Sequence, residues 1–251
     1  ERTDRVLKGG LKIYTTFDKT LQGYAEDATT KAKPQMGADW ISSLVSIDPG
    51  TGAVKAMVSG QDYAVNQTNY ATTSCTNCGN QTGSTFKVIT LAAALANGYS
   101  PNDTVDGSSP CEVAHDADGV PLPGSTTNDE EGSGTYDLWG ATSGSVNCAF
   151  VRLSTSVGLG KVIDMAHKMG ISKQNLDKVL TLTLGVFPQN TETMADVMAT
   201  VANNGVHHTP YVVQKIVFPD GKVIDTSTPG DTAMAPDVAA CEQNVLHGVV
   251  T

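Results

Sequence analysis

The sequence has no long apolar segment and little positive charge. None of its apolar runs approaches the roughly 20 residues that a helix needs to cross a bilayer. Its 16 Lys and Arg residues are outnumbered by 26 Asp and Glu residues, so the formal net charge is -10. This charge balance argues against nucleic acid and anionic membrane surfaces as partners. The chain also lacks internal repeats and low-complexity tracts.

Few residue patterns in this chain could hold a metal or build a histidine-dependent active site. Cys75 and Cys78 form a Cys-x-x-Cys pair, but no second such pair exists and the nearest histidine is His115. The spacing of a structural zinc site is therefore not met. No histidine accompanies a carboxylate pattern that indicates a catalytic triad, and His207-His208 is predicted to lie in an exposed turn. These patterns predict no metal site.

The distribution of apolar residues predicts one large domain of mixed α/β (α+β) class. A length of 251 residues, with 39% hydrophobic and 17% charged residues, is sufficient for a folded core. Alternating apolar residues predict strands at 11–17, 42–47, 53–58, 211–218 and 222–225. Helical periodicity predicts helices at 21–31, 84–97, 146–157, 162–168, 194–203 and 236–246. The region 99–140 is predicted to be loop-rich, with an acidic surface turn at 129–132.

The most informative segment is Ser84-Thr85-Phe86-Lys87, where a Gly-rich polar loop runs into an apolar, Ala-rich helix. Ser84 begins the predicted helix, and a spacing of three residues places its hydroxyl and the Lys87 amine on one face. A serine hydroxyl needs a nearby base to become a nucleophile, and lysine can serve only when neutral. At pH 7, removing the proton from a lysine with the ordinary pKa of about 10.4 costs about 4.6 kcal/mol of free energy. Burial at a helix start lowers that cost.

The alternative interpretation of this segment is an ordinary helix start. Serine is a common N-cap, and a lysine one turn later is typically solvated. Two features favour the catalytic interpretation. No other serine in the chain is followed by lysine three positions later, and Lys87 is the only charged residue from Ser84 to Ser100.

A second polar pair lies downstream, where Ser145 and Asn147 flank Val146 at the opening of a predicted helix. Such a pair can direct a hydroxyl and an amide into one cleft, where they move a proton and hold a substrate amide. The alternative is that Ser145 is the N-cap and Asn147 a first-turn residue. The similar pattern Ser100-Pro101-Asn102 follows a helix stop, and Pro101 favours a turn there.

The Ser-x-x-Lys and Ser-x-Asn patterns together resemble two motifs of penicillin-binding proteins. The chain resembles the transpeptidase domain of a bifunctional (class A) penicillin-binding protein over nearly its whole length. Val146 replaces the central Asp of the Ser-Asp-Asn pattern, which separates the chain from class A β-lactamases. The resemblance implies the fold shared by penicillin-binding proteins and serine β-lactamases, an antiparallel sheet flanked by helices. Further blocks that resemble this domain are 9–22, 47–54, 160–171 and 202–206.

The third motif of the family, Lys-Thr-Gly or Lys-Ser-Gly, is absent from the 251 residues. In the family it follows a segment that resembles 244–251, so we expect a domain truncated before its C-terminal strands. Those strands would belong to another chain or to a longer protein, and the bare 251-residue fragment would have an open sheet edge at 42–58 and no activity. By the same resemblance, 1–18 is a strand or linker from an absent upstream glycosyltransferase region, and 19–251 is the incomplete transpeptidase domain.

The resemblance also implies a function, namely a D,D-transpeptidase that cross-links peptidoglycan stem peptides through an acyl-enzyme on Ser84. Lys87 would be the base, Ser145 the proton relay and Asn147 a contact to the peptide. β-Lactam antibiotics would trap Ser84, because they mimic the D-Ala-D-Ala donor. No metal or organic cofactor is implied. The domain would lie on the extracytoplasmic face of the bacterial cell membrane and reach the membrane only through an absent N-terminal anchor.

The five cysteines favour disulfides in an extracytoplasmic domain. We predict at least one bridge, with Cys75–Cys78 in the loop before Ser84 as the favoured pair. The pairings of Cys111, Cys148 and Cys241 stay open, and the odd number leaves one cysteine over.

Other functions of the same fold stay open from the sequence. A β-lactam sensor or a D,D-carboxypeptidase would carry the same motifs. A β-lactamase is disfavoured, because no Glu-x-x-x-Asn pattern follows the Ser-x-Asn motif. A non-catalytic wall-binding module would leave the spacing of Ser84 and Lys87 accidental.

Overall fold

Helices from the apolar middle of the chain pack together, and short antiparallel strands lie around them. The computed structural model describes residues 9–36, 41–60, 63–64, 66–73, 80–129, 133–172 and 176–250. Its helices are α1 (Lys19–Met36), α2 (Lys87–Ala96), α3 (Leu138–Ser143), α4 (Asn147–Val157), α5 (Leu159–Lys168), α6 (Thr191–Ala202) and α7 (Pro236–His247). Its strands are β1 (Lys12–Thr15), β2 (Leu44–Ile47), β3 (Val54–Val58), β4 (Asn80–Gln81), β5 (Thr104–Asp106), β6 (Cys111–Glu112), β7 (Ser125–Thr126), β8 (Thr135–Asp137), β9 (Pro188–Gln189), β10 (Val206–His207), β11 (Val213–Val217), β12 (Val223–Asp225) and β13 (Asp231–Thr232). Short 3₁₀ helices cover Gly83–Phe86 and Leu182–Leu184.

Helix α2 forms the centre of the hydrophobic core. Every residue from Lys87 to Leu95 is buried, as expected for a helix that is apolar on all sides. Helices α4, α5 and α7 pack around it. The hydroxyl of Thr90 is satisfied by the hydroxyl of Thr183 at 2.8 Å, so Lys87 is the single charged side chain that this helix carries into the core.

Helix α2 ends at the glycine that the sequence predicts as its stop. Gly98 has a φ of +90°, a conformation that favours glycine. The amide of Tyr99 donates to the carbonyl of Ala94 at 3.1 Å, which satisfies one of the last helix carbonyls. The start differs from the prediction, because Gly83–Phe86 forms a 3₁₀ turn and the α-helix begins only at Lys87.

The hairpin β2–β3 lies between helix α1 and helix α6. Its strands pair antiparallel, with Leu44 opposite Val58, as predicted. The side-chain amide of Gln22 exchanges two hydrogen bonds with the backbone of Met57, at 2.9 and 3.0 Å, and thereby covers part of the outer edge of β3. Among the described residues, β2 has no further strand partner, so its outer edge is open.

A second antiparallel sheet has the strand order β1–β11–β12. Lys12 lies opposite Val217, and a turn closed by the bond from the Phe218 amide to the Lys222 carbonyl joins β11 to β12. The predicted strand near the N-terminus and the predicted hairpin are therefore confirmed. The pairing ties residues 12–15 to residues 213–217, while the domain boundary at residue 18 stays a prediction.

The region between α2 and α3 consists of short ladders rather than continuous loop. Strand β5 pairs with β8, and β6 pairs with β7. A disulfide joins Cys111 on β6 to Cys148 on α4, with a Cα–Cα distance of 5.4 Å. The prediction of at least one disulfide is confirmed, whereas Cys75 and Cys78 lie outside the described residues. The thiol of Cys241 is free and half-buried.

The prediction of an exposed turn at His207-His208 is wrong. His207 lies on β10, is half-buried, and places its Nε2 atom 2.8 Å from a carboxylate oxygen of Asp196 on α6. Burial raises the pKa of Asp196, and the hydrogen bond that the His207 ring donates to the Asp196 carboxylate raises the pKa of His207. The two groups form a structural tie between α6 and β10, which neighbouring sequence could not reveal.

We expect the Cys111–Cys148 bridge to contribute strongly to stability. It closes a loop with a sequence separation of 37 residues, and the chain-entropy relation assigns about 4 kcal/mol to such a loop. The double variant Cys111→Ser/Cys148→Ser should lose that amount in its free energy of unfolding, measured by urea denaturation. The matched control Cys241→Ser removes a half-buried free thiol and should change little. A loss below about 1 kcal/mol in the double variant would contradict the expected contribution.

Candidate active site

The serine of the Ser-x-x-Lys motif lies at the surface, whereas the lysine three residues later is buried. Ser84 is exposed on the 3₁₀ turn Gly83–Phe86, whereas Phe86 is fully buried and Lys87 is only 4% exposed. Side chains three residues apart eclipse one another in a 3₁₀ helix. The turn therefore places the Ser84 hydroxyl and the Lys87 side chain on one side of the chain.

The amine of Lys87 is held by three oxygen atoms from the Ser145–Asn147 segment. Its Nζ atom donates to the Ser145 carbonyl at 2.5 Å, to the Ser145 hydroxyl at 3.0 Å and to Asn147 Oδ1 at 2.7 Å. A lysine ammonium has three donors and no acceptor, so each of its protons has a partner. The amine also lies 5.5 Å from the ring centre of Phe150. Three of the four residues predicted for the site, Lys87, Ser145 and Asn147, are thus brought together at one buried amine, and Ser84 lies three residues before Lys87 on the adjoining turn.

Ser84 and Lys87 are neighbours on one helical turn, and they are not joined by a hydrogen bond among the described residues. Within the described part of the chain, no hydrogen bond joins the Ser84 hydroxyl to the Lys87 amine, since the three amine contacts all go to Ser145 and Asn147. Hydrogen bonds of a catalytic base often form fully only in the substrate complex. The role of Lys87 as the base for Ser84 stays a prediction at this point.

Burial changes the acid–base behaviour of Lys87. Desolvation lowers the pKa of its amine from 10.5 to about 8, and the negative charge of Asp129 acts in the opposite direction. The direction agrees with the expectation that a base of this kind needs a buried position. Asp129 is an exposed residue that the sequence placed in an acidic surface turn, and its influence on Lys87 was not predicted.

Ser145 adopts a backbone conformation that is uncommon for a residue with a side chain. Its φ of +49° lies in the left-handed region. Ser145 is not the N-cap of α4, as the alternative interpretation supposed, because Val146 occupies that position. The left-handed turn allows the carbonyl and the hydroxyl of Ser145 to face the same amine. Such outliers persist where surrounding structure holds them, and they cluster at functional sites.

The segment before Ser84 rests against a glycine from a distant part of the chain. Gly185 follows the 3₁₀ helix Leu182–Leu184 with a φ of +69°. A Cβ atom at this position would collide with the side chain of Thr82 and with the backbone of Gly83. Gly185 therefore permits the close approach of its own segment to the turn that carries Ser84, and no sequence pattern predicted the contact.

A cavity of about 640 Å³ opens beside the same turn. Thr82 and Thr85, which lie two residues before and one residue after Ser84, contribute to its wall together with the segment just before β2 and with residues of β4, β9 and α6. Ser84, Lys87, Ser145 and Asn147 do not line it. The cavity is therefore adjacent to the predicted site and distinct from the cluster around the amine.

Two further expectations concern metals and membranes. Over the described ranges, no group of three His, Cys, Asp or Glu side chains is arranged to hold a metal ion. None of the helices in the described part of the chain combines the length and the apolar character that a bilayer span requires.

Comparison with known proteins identifies the family. The family described as "Penicillin binding protein transpeptidase domain" matches residues 42–251. "Penicillin-binding protein 1A" of Mycobacterium tuberculosis is 35% identical over 239 residues, which cover 89% of this chain and 27% of that protein. "Penicillin-binding protein 1A" of Mycolicibacterium smegmatis is 32% identical over 255 residues, which cover 96% of this chain and 31% of that protein. The chain thus spans about a third or less of the length of these relatives.

Solved structures agree with the sequence comparison. The penicillin-binding protein PonA1 from Mycobacterium tuberculosis superposes with a TM-score of 0.79 at 32% identity, over 99% of this chain and 63% of that one. Penicillin binding protein 3 from the same organism gives a TM-score of 0.81 over all of this chain and 63% of that one, and at 22% identity it supports the fold alone. With its Ser-x-x-Lys turn, its buried lysine and these relatives, the chain belongs to the penicillin-binding protein transpeptidase domain family.

Proposed function

We propose that this domain is a serine-type D,D-transpeptidase that cross-links peptidoglycan stem peptides through an acyl-enzyme on Ser84. The observation that carries the proposal is the buried amine of Lys87, held between Ser145 and Asn147 one turn from the exposed Ser84. A wall-binding module without catalysis gives no reason for a lysine amine buried in an apolar helix. The chain spans a part of its relatives, so the activity of the whole protein is included in this proposal.

Lys87 acts as the base that activates Ser84. With a pKa of about 8, the amine is neutral at pH 7 at a cost of about 1.4 kcal/mol, against about 4.6 kcal/mol for an ordinary lysine. The neutral amine keeps two N–H donors, which serve the Ser145 carbonyl and Asn147 Oδ1. Its lone pair is then available to the Ser84 hydroxyl. It accepts the Ser84 proton as the serine oxygen attacks the penultimate D-alanyl carbonyl.

Ser145 returns the proton to the leaving group. Its hydroxyl lies 3.0 Å from the Lys87 amine and is itself exposed. It can therefore donate its proton to the departing D-alanine amine while it accepts one from Lys87. The bond from the carbonyl carbon to Ser84 forms, the peptide bond to D-alanine breaks, and the acyl group remains on Ser84. An amine of a neighbouring stem peptide then displaces Ser84 and completes the cross-link.

The backbone of the Ser84 turn supplies one donor for the developing oxyanion. Ser84 lies in the first turn of the 3₁₀ helix, where amide N–H groups have no acceptor within the helix. An N–H group directed at the carbonyl oxygen stabilises the tetrahedral intermediate, and loss of one such donor typically costs about 100- to 1,000-fold in turnover. The residues of the chain need no metal or organic cofactor for these steps.

We further propose that β-lactam antibiotics acylate Ser84 and that the domain works outside the cytoplasm. PonA1 from Mycobacterium tuberculosis, which is 31% identical, has been solved "in complex with penicillin V". A β-lactam carries a strained amide in place of the D-Ala-D-Ala bond, so the same nucleophile opens it. The Cys111–Cys148 disulfide supports an oxidising compartment.

Labelling by a fluorescent penicillin tests the role of Ser84. In the full-length protein, the wild type should become covalently labelled and Ser84→Ala should not, because the variant has no hydroxyl to acylate. The matched control Ser100→Ala changes a half-exposed serine of a turn and should label like the wild type. Persistent labelling of Ser84→Ala would refute Ser84 as the nucleophile. Release of D-alanine from a stem pentapeptide, with and without an acceptor amine, separates a transpeptidase from a carboxypeptidase and from a sensor.

The pH dependence of acylation tests the role of Lys87. Because only the neutral amine accepts a proton, the acylation rate should rise about tenfold per pH unit below the pKa and level off above about pH 8. Stopped-flow measurement of penicillin acylation from about two units below to about two units above the pKa of about 8 gives the profile. Lys87→Ala should lose acylation, whereas the exposed control Lys161→Ala should keep the wild-type profile. A profile of the wild type that is flat across this range would contradict a lysine base.

A further inference from the structure

Helix α4, which begins with Asn147, has no cap from its own sequence. Val146 occupies the N-cap position, and its side chain offers no acceptor. The first amide N–H groups of a helix need acceptors from elsewhere. The amide of Cys148 donates to the side-chain oxygen of Asn128 at 2.9 Å, across 20 residues of sequence. Asn128 is therefore a long-range cap for the helix that carries the second motif.

The segment that contains Asn128 also determines how the Asn147 side chain is turned. Asn147 is 7% exposed, and its Nδ2 atom donates to the carbonyl of Thr127 at 3.2 Å. Its other end, Oδ1, accepts from the Lys87 amine at 2.7 Å. An amide turned the other way would direct its NH₂ group at a positively charged amine. The Thr127 carbonyl thus selects the orientation in which Asn147 can hold Lys87.

Asn128 is itself anchored on the opposite side. Its Nδ2 atom donates to the carbonyl of Gly107 at 2.9 Å, and its backbone amide donates to the Ser109 hydroxyl at 3.2 Å. The Cys111–Cys148 disulfide runs alongside, since Cys111 pairs with Thr126 across the β6–β7 ladder. These contacts connect the segment rigidly to the start of α4 and, through it, to the amine of Lys87.

We propose that Asn128 is a positioning residue for acylation, because it fixes the start of α4 and the Thr127 carbonyl and so keeps the Asn147 amide against the Lys87 amine. The proposal rests on the proposed function, in which Lys87 is the base for Ser84. The contacts of Asn128 with Cys148, Gly107 and Ser109 connect it to the reaction through Asn147.

Loss of Asn128 should change the charge state of Lys87 as well as its position. Asp129 follows Asn128 directly in the sequence. Among the described residues, it is the charged group that acts on the pKa of Lys87, and its negative charge favours the protonated amine. Asn147 Oδ1 also favours the protonated amine, because this oxygen accepts a hydrogen bond from the Lys87 ammonium group. When the segment loosens, both effects weaken, but water also reaches the amine and relieves the desolvation that is the main cause of its lowered pKa. The pKa of Lys87 should therefore rise towards its ordinary value, and the amine is then neutral only at higher pH and is held less well for the reaction.

The experiment compares penicillin acylation of the full-length wild type with Asn128→Ala, Asn128→Asp and Asn102→Ala across pH. Asn128→Ala removes two side-chain hydrogen bonds, so it should lower the plateau rate about tenfold or more and move the midpoint above about pH 8. Asn128→Asp keeps an acceptor for the Cys148 amide but loses the donor to the Gly107 carbonyl, so it should recover part of the plateau rate. Asn102→Ala removes an exposed turn amide and should behave as the wild type. Rates are expressed per folded molecule, from thermal unfolding of each variant.

Several results would overturn the positioning role. A plateau rate and midpoint of Asn128→Ala equal to the wild type would exclude it. A lower rate with an unchanged midpoint, not improved in Asn128→Asp, would assign Asn128 to stability alone. If the wild type itself were not acylated at Ser84, the proposed function would fail and the positioning role with it. If the wild type were acylated at Ser84 and Asn128→Ala were unaffected, only the positioning role would fail.

Discussion

The burial of one lysine amine in an apolar helix is the constraint on which the rest of the site depends. Helix α2 is buried along its length, and it offers no oxygen acceptor of its own to Lys87. A buried charge without partners costs several kcal/mol. The fold satisfies the amine with three oxygen atoms of Ser145 and Asn147, which lie 58 and 60 residues further along the chain. The left-handed turn at Ser145, the start of α4 and the Asn128 contacts all serve this arrangement.

The burial of the Lys87 amine lowers the stability of the folded protein, because it disfavours the charged form of the amine. A fall in the pKa of Lys87 from 10.5 to about 8 corresponds to roughly 3 kcal/mol at pH 7. The unfolded chain binds the proton more tightly, so the full penalty applies below about pH 8 and disappears as the pH rises towards 10.5. The hydrophobic core around α2 and the Cys111–Cys148 bridge provide stability that offsets it.

The sequence predicted most of the secondary structure, because it depends on local signals, and it singled out Lys87, Ser145 and Asn147, which the structure brings into contact. Apolar periodicity located α2, and Gly98 marked its end; the spacing from Ser84 to Lys87 placed both side chains on one face. Contacts between distant segments leave no such signal. The Asn128 cap of Cys148, the close approach of Gly185 to Gly83 and the pair of Asp196 with His207 each join residues that no spacing rule relates. His207 was misplaced for this reason, since a neighbouring Gly205 indicates a turn but not what the turn packs against.

The long separation between Lys87 and its acceptors has a consequence for how the protein folds. Contacts between residues that are far apart in sequence raise the contact order, and such contacts form late, because the intervening loop must close first. Helix α2 can form from local interactions, but its lysine stays hydrated and strongly basic until α4 docks. A partly folded or misfolded molecule would therefore contain Ser84 without an effective base. If the proposed mechanism holds, reactivity towards a β-lactam would report on completed tertiary structure.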